Sequence, residues 1–110
     1  MLEIRVVVDI DATGRSTFTR WFKTLNADAA AKVTTALYRI RQGNFSNVEG
    51  VGGGVFEYRI DFGPGYRIYF GKDGETLVVL LGGSSKQRQQ QAIHAARESW
   101  KDYKRRKAHG

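Results

Sequence analysis

The sequence has no cysteine, a single proline and only two histidines. Without cysteine there is no disulfide framework, no thiolate zinc site and no thiol nucleophile. Long apolar runs are absent too. The longest spans residues 77–81, far short of the ~20 residues of a membrane helix. Residues 1–5 show no basic leader followed by an apolar stretch, so no secretion signal is expected and the expected compartment is cytoplasmic. What remains is 110 residues, 41% of them hydrophobic. That is too apolar for a disordered chain and supports one domain, 1–110, that buries about 60–70% of its unfolded surface.

Charge is plentiful and uneven. The net charge is +7, with 18 Lys or Arg against 11 Asp or Glu. Residues 86–110 hold eight of the basic side chains and only Glu98 and Asp102, a net +6. A basic segment of this kind attracts polyanions, of which nucleic acid is the commonest in cytoplasm. An acidic protein partner is attracted equally, and a solvated helix end with cations near its C-terminus has the same composition.

The periodicities predict an α+β domain. Leu2, Ile4, Val6 and Val8 alternate with Glu3, Arg5 and Asp9, with Val7 as the exception, a strand over 2–9. Ser16 or Thr17 can cap a short helix whose Phe18, Trp21, Phe22 and Leu25 share one face. Asn26 can cap a second helix that runs to about Gln42, with Gly43 as its left-handed terminator. These two form a helical hairpin. Residues 43–54 read as a glycine-rich loop, with no Lys-Ser/Thr pair and no dinucleotide spacing. Three strands follow as a meander over 55–62, 66–71 and 76–81, joining one mainly antiparallel sheet. A long helix from 86 to about 106 closes the chain.

The strand over 55–62 splits into an apolar face, Phe56, Tyr58, Ile60 and Phe62, and a polar one, Glu57, Arg59 and Asp61. A three-residue turn at 63–65 places Ile60 opposite Ile68, Asp61 opposite Arg67 and Arg59 opposite Tyr69. Arg59 and Arg67 become diagonal neighbours. An Asp-Gly hairpin at 73–74 then sets Arg67 opposite Leu80 and Tyr69 opposite Val78. One sheet face thus gathers Glu57, Arg59, Asp61, Arg67 and Tyr69.

Two guanidinium groups side by side suit a phosphodiester, because Arg holds phosphate oxygens with paired hydrogen bonds. Glu57 could take a proton from an attacking hydroxyl, and Tyr69 could stack on a base or protonate a leaving group. Lys86 opens the last helix, where free N–H groups favour an anion. The inventory fits RNA cleavage with the 2′-OH as nucleophile. It requires no metal and no small-molecule cofactor. The same residues also suit a solvated face of salt bridges, Asp61–Arg67 and Glu57–Arg59. His94, mid-helix, reads as a surface or interface residue.

The run Phe18-Thr19-Arg20-Trp21-Phe22, the helical hairpin, Gly43-Asn44-Phe45 and above all Glu57-Tyr58-Arg59-Ile60-Asp61-Phe62-Gly63-Pro64-Gly65-Tyr66-Arg67-Ile68-Tyr69-Phe70 resemble the RelE/ParE toxin superfamily, nearest its HigB-like addiction-module killer proteins. Leu80-Leu81-Gly82-Gly83, Lys86, Gln89 and the alanine-bearing final helix extend the resemblance over nearly the whole chain. It implies a RelE-like fold and a type II toxin, typically a ribosome-dependent mRNA endonuclease neutralised by a cognate antitoxin. The implied partners are antitoxin, ribosome and mRNA, with no membrane. Arg59 and Arg67 would clamp the scissile phosphate, Lys86 would assist, and Glu57 and Tyr69 would be the base and acid candidates. Arg88, Lys101, Lys104, Arg105 and Arg106 would add RNA contacts. Related endonucleases often carry a His or Tyr after the last strand; this chain has Gly82-Gly83-Ser84-Ser85. Electrostatic stabilisation by Arg and Lys is then the main available mechanism. A ParE-like toxin that poisons DNA gyrase without cutting, or a non-catalytic RNA-binding module, is the alternative.

Overall fold

Five strands build a sheet that helices cover on both sides. The computed structural model describes residues 3–109; Leu2, which the alternation also assigns to the first strand, lies outside them with Met1 and Gly110. The elements run β1 (Arg5–Val8), α1 (Thr17–Phe22), α2 (Ala27–Arg41), β2 (Val48–Gly52), β3 (Val55–Ile60), β4 (Tyr66–Asp73) and β5 (Leu77–Ser85). A 3-10 turn, Lys86–Arg88, then leads into α3 (Gln89–His109). The strand order is β1-β5-β4-β3-β2. β1 lies parallel to β5 and every other pair is antiparallel. The architecture is α+β with a five-stranded mixed sheet and a C-terminal helix. Among the described residues no helix is long and apolar enough to cross a membrane.

Both helices of the hairpin start where the caps predict. Ser16 Oγ accepts from the Thr19 amide at 3.1 Å and Asn26 Oδ1 from the Ala29 amide at 2.9 Å. Gly43 terminates α2 at φ 79°. α1 and α2 bury Phe18, Val33, Ala36 and Ile40 against Tyr58, Ile60, Ile68, Phe70, Val78 and Leu80. α3 covers the opposite face, setting Ile93, Ala96 and Trp100 on Val55, Tyr69, Val79 and Leu81. β5 is apolar on both faces because each face meets a helix.

Three sequence expectations need correction. Residues 48–52 are not loop but strand β2, paired with β3 from Val48↔Tyr58 to Gly52↔Val55. Its glycines erase the alternation, and it is a largely exposed edge strand, held by its ladder to β3 and by Arg97, whose side chain donates to the Val51 carbonyl. In the β3–β4 pair, Ile60 faces Tyr66 and Arg59 faces Arg67 directly, two residues from the predicted register. The cause is the turn: the Gly65 amide donates to the Phe62 carbonyl at 2.9 Å, which pulls Asp61 and Phe62 out of the ladder. A shift of two preserves the side-chain faces. In the β4–β5 pair the closing residues are Asp73 and Leu77, and a bulge between Tyr69 and Phe70 puts Arg67 opposite Ser84 and Tyr69 opposite Gly82. Three residues, not two, make that hairpin turn.

Candidate functional site

The face of β3 and β4 that carries Glu57, Arg59, Arg67 and Tyr69 is the face α3 covers, so it is not an open charged surface. Glu57, Arg67 and Tyr69 are 2%, 7% and 0% exposed. Glu57 Oε1 stands 3.6 Å from Arg67 Nε. Its other oxygen accepts from Gln89 Nε2 at 2.8 Å. The first residue of α3 therefore holds the carboxylate from above. Arg67 Nη1 donates to the Tyr66 carbonyl at 3.1 Å, but Arg67 Nε has no hydrogen-bond partner. A buried, unbonded guanidinium N–H is an uncommon feature.

Tyr69 lies one strand position further in. Its hydroxyl pairs with Ser84 Oγ at 3.2 Å. Burial pushes the phenol up to about 12; the Glu57 charge adds to the shift and the Ser84 hydrogen bond opposes it. At neutral pH the phenol is thus protonated and closed off from solvent. Gln89 and Ser84 enter the sequence reading only through the resemblance, with no role in the site. Their place in it follows only once α3 is known to fold back over β4, although Ser84 lies in the segment where related endonucleases carry a His or Tyr.

Arg59 departs from this buried group. Its side chain is 51% exposed and stands 3.8 Å from Glu49 on strand β2. The predicted Glu57–Arg59 and Asp61–Arg67 bridges are replaced by Glu49–Arg59 and Glu57–Arg67. Asp61 is exposed in the turn. Lys86 is exposed and its amide donates to the Gly65 carbonyl at 2.9 Å. Gly65, at φ 83°, is the meeting point: a Cβ there would stand 3.4 Å from Lys86 Cβ and 3.7 Å from Arg67 Nη1. The backbone thus brings Lys86 beside the buried arginine, with Arg88 exposed in the same turn. The open pair of arginines expected from the sequence is corrected to a buried Arg67, a solvent-facing Arg59 and an exposed Lys86.

The basic helix divides similarly. Arg106 is drawn into the body by Asp9 at 2.8 Å, Asp102 at 3.0 Å and the Ile10 carbonyl at 2.6 Å. Lys107 and the Tyr103 hydroxyl both bind Asp73. Lys104 stands 5.8 Å from the Trp100 ring centre. Lys101 and Arg105 remain about two-thirds exposed, beside Glu98 and Asp102. Among the described residues no three His, Asp or Glu side chains group as metal ligands.

No family model matches the chain. It is 40% identical over 82 residues to an uncharacterized protein of Haemophilus influenzae, a match that covers 74% of this chain and 83% of that protein.

Proposed function

The chain belongs to the same family as that Haemophilus influenzae protein, and from this premise we propose that it is a HigB-like toxin of the RelE/ParE superfamily. In this reading the fold is RelE-like. The protein is a ribosome-dependent mRNA endonuclease, acts in the cytoplasm without a metal, and is neutralised by a cognate antitoxin. One observation carries the reading: Arg59 and Arg67 hold opposed positions on β3 and β4, and the Gly65 contact sets Lys86, in the 3-10 turn before α3, beside Arg67.

The chemistry follows from what each group can do there. The 2′-OH attacks the neighbouring phosphorus, and the bond to the 5′ oxygen breaks. Negative charge grows on the equatorial oxygens. Lys86 and Arg59 reach solvent and meet that charge first. Arg67, ion-paired with Glu57 and without a hydrogen bond at Nε among the described residues, adds a buried cation behind them. Glu57 and Tyr69 are poor proton carriers as they stand. The carboxylate is occupied by Gln89 and Arg67, and the phenol is buried and protonated. Catalysis in this reading is electrostatic, with proton exchange left to solvent or to the ribosome.

The burial of Glu57, Arg67 and Tyr69 also favours a second reading, a toxin that binds its target without cutting, as a gyrase poison would. Expression with separate readouts of protein synthesis and DNA supercoiling decides between them. Early loss of translation with shortened mRNAs supports the nuclease. Supercoiling loss with translation intact replaces it by the second reading. Arg59→Ala and Lys86→Ala change exposed side chains, so the fold is retained and growth inhibition should fall at least tenfold. Full inhibition by both variants would show that this corner is not the site.

A further inference from the structure

A separate hollow opens at the end of β5. It occupies about 770 Å³ between the end of α1, the turn at 63–65 and the start of α3. That is within the roughly 300–1,000 Å³ of small-molecule sites. Trp21 and Tyr66 form its wall, with ring centres 6.5 Å apart and planes tilted by 58°. Trp21 is fixed in place because it lies flat on Gly83, where any Cβ would overlap the indole. Asn26, Ser85 and Gln91 supply uncharged polar groups around that wall, and Arg88 supplies a cation. Ser85 makes no capping bond with its side chain. Among the described residues no Asp or Glu lines the hollow.

We infer that this cleft takes one unpaired RNA base, packed against the aromatic wall of Trp21 and Tyr66, with its phosphate at Arg88. The aromatic wall offers a π surface, which every base can use. Neutral donors and acceptors suit a base edge, and the missing carboxylates leave the cation free for phosphate. The inference rests on the RNA reading above and adds a substrate contact to it. β5 ends between the two places, so Ser85 lines the cleft while Lys86, the next residue, stands beside Gly65 and Arg67. A strand whose phosphate lies at Lys86 can drop a neighbouring base into the cleft. An acidic peptide would match Arg88 and Lys86 but would leave the aromatic wall unused.

The test uses the full chain and a 2′-O-methyl hexaribonucleotide, which the 2′-OH mechanism cannot cut. Tryptophan emission reports on Trp21, while Trp100, on α3, is buried against the sheet. The hexamer should quench emission saturably, and Trp21→Leu should abolish the quench and weaken binding about tenfold. Trp21→Leu can also disturb packing, so Gln91→Glu serves as a second probe. It places a negative charge at an exposed rim position and should weaken binding by a similar factor. Unchanged affinity in Gln91→Glu overturns the cleft. So does equal binding of duplex RNA, or displacement of the hexamer by poly-glutamate at matching concentration. The toxin reading fails separately, if the unaltered chain neither cuts mRNA nor slows translation while the hexamer still binds.

Discussion

Glu57 is the residue on which the buried polar group depends. It is the counter-charge of Arg67 and the acceptor for Gln89. Glu57→Gln keeps the shape but leaves a buried guanidinium without its anion. Such a change costs about 3–5 kcal/mol, to be measured by urea unfolding. For the same reason Arg67→Ala is a poor probe of activity alone, because it strands the carboxylate. Tyr69 gives a pH signature. An unfolded tyrosine ionises near 10, whereas the folded one waits until about 12. Between those values the unfolded state binds fewer protons, so stability falls as pH rises through that window. Tyr103 is raised to about 12 as well, by burial first and by Asp73 second. Alkaline unfolding should flatten in Tyr69→Phe or Tyr103→Phe, and an unchanged profile in both would refute this assignment.

The elements differ in how much of them the residues announced. Both caps, the α2 stop at Gly43 and the two-sided β5 follow from side-chain chemistry that acts over three or four residues. β2 was invisible because Gly50 and Gly52 carry no pattern, and its partners lie in another segment. The polar alternation on β3 was legible too, but its meaning was not. Alternation shows which residues share a face and is silent about what covers it. The cover, α3, reaches its place through contacts far apart in sequence: Trp100 on Gly71, Arg97 on the Val51 carbonyl, and Arg106 on Asp9. Gly71→Ala should therefore cost about 1–3 kcal/mol, because a Cβ there overlaps Trp100. The end of α3 should also loosen in acid. Hydrogen bonds from Lys107 and then Tyr103 hold Asp73 below the usual carboxylate range. That contribution is present above the unfolded value and is lost as pH falls through the lowered one. Amide exchange in residues 103–109 should quicken there, and Asp73→Asn should remove the effect.

Across the whole molecule, the surplus of positive charge is less available than its count suggests. Arg106 and Lys107 bind carboxylates of the body, leaving Lys101, Lys104 and Arg105 outward with Lys86 and Arg88. Replacing Lys101, Lys104 and Arg105 together by Gln should lower the log–log salt slope of RNA binding by about 2 if all three meet phosphate. An unchanged slope would remove the helix from the RNA path. The position of β5 has one more consequence. β1 pairs with β5 alone, from Arg5↔Leu77 to Val8↔Leu80, and one whole face of the sheet waits for α3. During synthesis the first strand emerges long before its only neighbour exists. Until then the nascent chain offers a bare strand edge and unshielded greasy rows to chaperones and proteases. Maturation is thus late and abrupt rather than gradual.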